Sequence, residues 1–203
     1  IAGVSEVQVL VARLDPEGEL LPIAGFNGVA RVRPCNLFPA PTDLALAVAP
    51  DDRMYIGVSC DLGPTGLRPR IAVARIDVPA LHSGFGDNGV VRNVMGDHIF
   101  ELHRVHAMLA DESGDLYVAG AYSHSGTLPC SGEFGIAKLD AAGRHVPSFG
   151  TGGRAAIAIG AGDRARWIAR DAFGRLYLGG DALAACGILR PGGNRFAAAR
   201  ILP

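Results

Sequence analysis

The sequence has almost no lysine. Lys138 is the single one among 19 basic residues, and the others are arginine. Together with 28 glycines and abundant alanine, this usage points to a GC-rich bacterial genome. There is no long apolar run either. Apolar stretches such as 44–50 and 155–162 fall far short of the ~20 residues a membrane helix needs, so no membrane span is expected. No charge of one sign dominates. The net charge of −1 provides no field to hold nucleic acid or an anionic bilayer, and no nucleic-acid partner is expected. Polarity is not high: 49% of residues are hydrophobic and 19% charged, which excludes a disordered chain. The 203 residues suffice for one domain, or two small ones, with a sizeable core.

Familiar catalytic signatures are also missing. There is no GxSxG elbow and no HExxH. The segment GTGGRAA lacks the Lys-Ser/Thr of a phosphate-binding loop, and no GxGxxG opens a helix. No EF-hand loop is present. No cofactor is therefore expected. The chain opens on IAGVSEV with neither an initiator Met nor a signal-peptide pattern, so either a leader has been removed or the sequence has been shortened.

What is present is repetition. The triplets Met54-Tyr55-Ile56, Leu116-Tyr117-Val118 and Leu176-Tyr177-Leu178 recur about every 60 residues. The phrases VARLD, VARID, IAKLD and AARIL recur with the same spacing and align Arg13, Arg75, Lys138 and Arg200. Each unit carries apolar runs, A to D, bounded by Gly, Pro and Asp. In the third unit they are 105–110, 115–121, 133–139 and 154–159. Short runs bounded this way read as strands, and nothing between them is long or periodic enough for a helix. Phe26, Phe85 and Phe149 occupy matching places beside glycines and are expected to anchor the core.

The expected fold is all-β and β-propeller-like, built from four-stranded blades of about 60 residues. It divides into a partial blade over 7–36, blades over 41–97 and 101–160, and a partial blade over 163–203. The units resemble the delta-60-type repeat, a bacterial propeller repeat. The matching positions are Gly57, Gly120 and Gly179 near the tyrosines, Asp15, Asp77 and Asp140 after the basic residue, and the three Phe. Pro203 stands where a fourth Asp would be. The family is largely uncharacterised, so the resemblance implies architecture more than activity.

Closure of such a ring is the open question. The first unit shows only runs C and D, and the last only A, B and C. Strand D of the first unit is a candidate to complete the last blade. Two chains about a twofold axis, a small ring in one chain, or a piece of a longer protein each satisfy the pattern. Completion by a second copy or a second chain is the favoured expectation.

Cys60, Cys130 and Cys186 each follow a run B, and Cys35 follows the first run D. In a propeller these places share one face, in loops. That favours disulfides, proposed as Cys35–Cys60 and Cys130–Cys186, and hence a periplasmic or secreted protein. Other pairings, free thiols and a zinc site stay open. On the same face, GDHIFELHRVH supplies Asp97, His98 and His103 in the link before the third unit, with His106 inside strand A. His124 lies in a neighbouring loop. Asp97, His98 and His103 are weak metal candidates, and hydrogen-bonded or solvated polar residues are the plainer reading. Asp87 and Asn88 in GFGDNG read as a tight turn.

Trp167 aligns with Ala45 and Ala107, a large side chain where the sister units have a small one. It is read as an edge-packing residue or part of an interface. Trp167, His98, His103 and His124 are thus the candidate binding residues. Variable B-to-C loops on constant strands suit a non-catalytic binding or scaffold module that takes a protein or glycan ligand on one loop face. The alternative is an enzyme, or one chain of a processed enzyme, with its site at the central channel.

Overall fold

A computed structural model describes residues 2–5, 8–21, 29–35, 43–61, 69–77, 80–96, 102–123, 132–183 and 194–202. Every regular element among them is a strand, and no helix is long and apolar enough to cross a membrane. The first sheet holds β1 (Ala2–Ser5), β2 (Gln8–Ala12) and β3 (Val29–Val32). The second holds β4 (Leu44–Val48), β5 (Met54–Asp61) and β6 (Pro69–Asp77), with β7 (Ala80–Leu81) and β8 (Val90–Val91) both paired to β6. The third is β9 (Leu102–Ala110), β10 (Leu116–Ser123), β11 (Gly132–Leu139) and β12 (Arg154–Ile157). The fourth is β13 (Asp163–Arg170), β14 (Leu176–Leu183) and β15 (Asn194–Ile201). All pairings within them are antiparallel, and the protein is all-β.

The same hydrogen bonds recur in successive sheets. Phe85 N–H donates to the His82 carbonyl at 3.0 Å and Gly89 N–H to Phe85 at 2.8 Å. Phe149 N–H donates to Val146 at 3.0 Å and Gly153 N–H to Phe149 at 2.9 Å. Gly86 and Gly150, each following its Phe, share φ 56°, a left-handed backbone that glycine adopts at little cost. The two described phenylalanines of this set meet the tyrosine of their own sheet: Phe85 lies 5.6 Å from Tyr55, and Phe149 lies edge-on to Tyr117 at 5.9 Å. Phe26 lies outside the described residues.

Sheets pack face on face in chain order. The front face of a sheet carries Val9 and Val11 in the first, Ile71 and Val73 in the second, Phe134 and Ile136 in the third. The back face carries Ala72, Ala74 and Ile76 in the second, Ala137 and Leu139 in the third, Ala197, Ala199 and Ile201 in the fourth. Three apolar clusters join each front to the next back. Val9, Val11 and Val32 meet Ile56, Ala72, Ala74 and Ile76. Tyr55, Ile71 and Val73 meet Leu116, Val118, Ala137 and Leu139. Tyr117, Phe134 and Ile136 meet Leu176 and Leu178, with Ala197, Ala199 and Ile201 half-buried beside them. Strand β9 touches both β4 and β13, so the first strands of these sheets adjoin. A cross-sheet ion pair marks each junction: Arg13–Asp52 at 3.2 Å, Arg104–Asp43 at 3.1 Å and Arg170–Asp111 at 3.5 Å.

Cys35 and Cys60 form a disulfide, as proposed from the sequence, and it ties the segment after β3 to β5. Cys60 is not in a loop; it is buried within β5. Cys130 and Cys186 lie outside the described residues. Two expectations about the first unit change. It has a further strand, β1, and its strand D is not lent to the last sheet, because β3 pairs with β2 at home.

Candidate functional site

The fourth sheet differs from the others in what its front leaves bare. On β15, Phe196 is 95% exposed, whereas Phe134 at the aligned position of β11 is 0% exposed. A phenylalanine left in water forgoes about 2 kcal/mol of burial, so this is a surface with unspent driving force. Tyr177 of β14 is 37% exposed, while its counterparts Tyr55 and Tyr117 are buried. Trp167 of β13 is 60% exposed. The register puts these side chains on one face: Trp167 opposes Gly179, Tyr177 opposes Arg200, and Phe196 opposes Asp181.

Local chemistry positions Tyr177 and Trp167. The turn before β14 is capped by Asp171, whose carboxylate accepts the Phe173 and Arg175 N–H groups at 2.9 and 3.0 Å. The same carboxylate accepts the Tyr177 hydroxyl at 3.0 Å and pairs with Arg175 at 2.6 Å. Its desolvation is outweighed by these donors, and its carboxyl is held below the ordinary aspartate value. Asp181 pairs with Arg166 at 2.5 Å beside the aromatic patch.

Trp167 reaches the front because β13 carries a bulge between Ala165 and Trp167. Gly180 permits that bulge, since a Cβ there would overlap the Arg164 carbonyl oxygen. Gly120 plays the same part opposite Arg104 in the third sheet. Gly57 and Gly179 form a different pair. A Cβ on Gly57 would lie 2.5 Å from Sδ of Met108, which descends from the next sheet. Over Gly179 the nearest atom is Cε3 of Trp167, 3.4 Å from an added Cβ. The glycines that the sequence places in one column near the tyrosines thus serve two purposes. Spacing from the tyrosine separates them: two residues for packing and three for the bulge.

The imidazole candidates fare differently. His103 lies within β9 rather than in a link, fully buried, with its ring stacked on Tyr122 at 4.8 Å. His106 is in β9 as expected, and burial lowers its pKa, so it is neutral near pH 7. Asp97, His98 and His124 lie outside the described residues. Among the described residues, no group of three or more His, Cys, Asp or Glu stands in a metal-holding arrangement. Asp87 and Asn88 form the expected tight turn, with Asn88 at φ 49°.

Between the first two sheets lies a cavity of about 250 Å³, lined by Val11, Arg13, Leu14, Leu46, Asp52 and Met54 among others. Its position is intelligible from the register. In the other sheets the tyrosine sits opposite the basic residue of the adjoining strand: Tyr55 opposes Arg75, Tyr117 opposes Lys138, and Tyr177 opposes Arg200. In the first sheet, the described β1 pairing runs from Ala2 opposite Val11 to Ser5 opposite Gln8, so no described residue of β1 stands opposite Arg13.

The sequence flagged Trp167 but not its companions Tyr177 and Phe196. Their signal was the alignment itself: both repeat residues that are core elsewhere. No family model matches the chain, and no curated protein matches it.

Proposed function

We propose that the chain is a non-catalytic binding or scaffold module of β-propeller type, belonging to a secreted or periplasmic bacterial protein. Successive antiparallel sheets with adjoining first strands support the architecture, as does the likeness to the delta-60-type repeat. The Cys35–Cys60 bridge suits an oxidising compartment. The single observation that carries the binding reading is the bare front of the fourth sheet. Trp167, Tyr177 and Phe196 share it, and contiguous exposed aromatic surface marks interaction sites. The variable loops between strands B and C are the second element of this reading. Their central residues, 62–68, 124–131 and 184–193, lie outside the described residues.

The test uses the fact that Trp167 is the sole tryptophan. Its emission is followed while soluble glycans and peptides are titrated, and product formation is assayed on ester and glycoside panels in parallel. A saturable shift in Trp167 emission without turnover is the expected result. Turnover with an unchanged Trp167 signal would replace this reading with an enzyme.

A further inference from the structure

Two strands carry the same irregularity at the same place. In β9 the register passes from Val105 opposite Gly120 to Ala107 opposite Ala119, which leaves His106 without a cross-strand position. In β13 it passes from Ala165 opposite Gly180 to Trp167 opposite Gly179, which leaves Arg166 in the equivalent place. A bulge re-aims the side chain it inserts. Two residues earlier stand Arg104 and Arg164, so the sequences RVH and RAR bring one pattern to neighbouring sheets. Within its own sheet β9 pairs only with β10, and it also adjoins both β4 and β13. Asp43, immediately ahead of β4, reaches Arg104 across that junction.

We propose that these two bulges form a binding site for an oxyanion, the carboxylate or phosphate group of a small molecule, held by Arg104, Arg164 and Arg166 beside His106. The site goes beyond the binding reading above: it uses charge where the front of the fourth sheet uses aromatic rings.

Three guanidinium groups gather here with two carboxylates. Arg104 bonds to Asp43 through Nη1 at 3.1 Å, and Arg166 bonds to Asp181 through Nε at 2.5 Å. Arg164 is exposed and has no ion-pair partner among the described residues. All three arginines act electrostatically on the half-buried ring of His106. Gathering like charges around one ring costs energy that an anion among them recovers. The donors suit such a ligand. A guanidinium carries five N–H groups in a planar fork that matches carboxylate or phosphate oxygens, and each of the two described bonds engages a single nitrogen.

His106 supplies an independent sign. Its Nε2 is buried and meets no hydrogen-bond partner among the described residues. A buried polar atom left unsatisfied in a folded protein calls for an ion, a water or a functional role. The repeat itself does not demand this chemistry. At the corresponding place the second sheet has Asp43 and Leu44, with no cation.

Isothermal titration of the full chain at neutral pH and constant ionic strength tests the site, with inorganic phosphate and succinate as probes and glucose as the uncharged comparison. Saturable heat with phosphate or succinate, and none with glucose, is the expected result. The tighter of the two anions tells which oxyanion the site takes. Arg164→Ala and Arg166→Ala should each weaken binding by roughly tenfold or more, with circular dichroism reporting that the fold is kept. If Arg166→Ala fails to fold, Arg164→Ala carries the test, since it breaks no described ion pair. Arg144→Ala makes the same charge change at a side chain 80% exposed on another connection, and it should leave binding unchanged. Absence of saturable heat with both anions at millimolar concentrations overturns the proposal. So does equal weakening by Arg144→Ala and Arg164→Ala, which would mean diffuse attraction to a charged surface. A Trp167 response to uncharged glycans without any anion heat would sink this site while leaving the aromatic front standing.

Discussion

At the scale of single residues, the turn aspartates carry more than their place in the sequence suggests. Asp111 is buried and accepts the Ser113 and Asp115 N–H groups at 3.0 Å each, the Ser113 hydroxyl at 2.6 Å and the Tyr117 hydroxyl at 3.4 Å. Burial alone would raise its pKa; these donors and Arg170 outweigh it, and the net shift is downward. Asp111→Ala leaves several buried donors without an acceptor and should cost about 2–3 kcal/mol in urea unfolding. The pH profile gives the sign. A carboxyl with a depressed folded pKa contributes stability above its unfolded value near ~3.9, and that contribution is lost as the pH falls through the folded value. The variant should therefore show a flatter decline between about pH 5 and pH 2 than the parent. An unchanged acid limb would mean that Asp111 matters only as a cap. This residue was legible in principle. Asp followed three places later by Gly stands before Leu-Tyr at both 111 and 171, but Ala49 breaks the column in the second unit and hides it. Tyr55 shows the cost of that break: it is buried, and its hydroxyl meets no hydrogen-bond acceptor among the described residues.

At the scale of elements, the strands were readable because short apolar runs alternate with turn residues. Run 133–139 became β11 (Gly132–Leu139), and run 105–110 became the later part of β9 (Leu102–Ala110). The longer reach of β9 explains why His103 was expected in a link. A polar ring followed by Arg104 reads as loop, and only the stacking on Tyr122 reveals a place for it in the core. Strand β1 escaped notice for a different reason. Four residues of sequence AGVS carry neither a β-branched run nor a turn signal, so nothing but pairing with β2 defines them. The bulges were equally silent, since a bulge adds a residue without changing hydrophobicity. They make a firm prediction all the same. Gly120→Ala forces a Cβ into the Arg104 carbonyl and should destabilise by roughly 2–3 kcal/mol, seen as a lowered thermal midpoint. Gly18→Ala has open space at a left-handed backbone and serves as the comparison, with a smaller loss arising from strain alone. Equal losses in the two variants would mean that the bulge is not a tight contact.

At the scale of the whole molecule, the sequence made the succession of sheets legible, but not the exposure of Trp167, Tyr177 and Phe196. Alignment shows which residues correspond, whereas only packed coordinates show which of them remain uncovered. The Cys35–Cys60 bridge belongs to this scale because it joins two sheets. It closes a loop of 25 residues, for which chain-entropy reasoning gives about 3–4 kcal/mol. Cys35→Ser with Cys60→Ser, or reduction by dithiothreitol, should lower stability by that order in a thermal melt. A change under about 1 kcal/mol would show that the valine face alone secures the first sheet. The bridge also has a temporal consequence. Until it forms, apolar packing and the exposed Arg13–Asp52 pair hold the first sheet to the second, so in a reducing milieu the amino-terminal strands should be the earliest to detach.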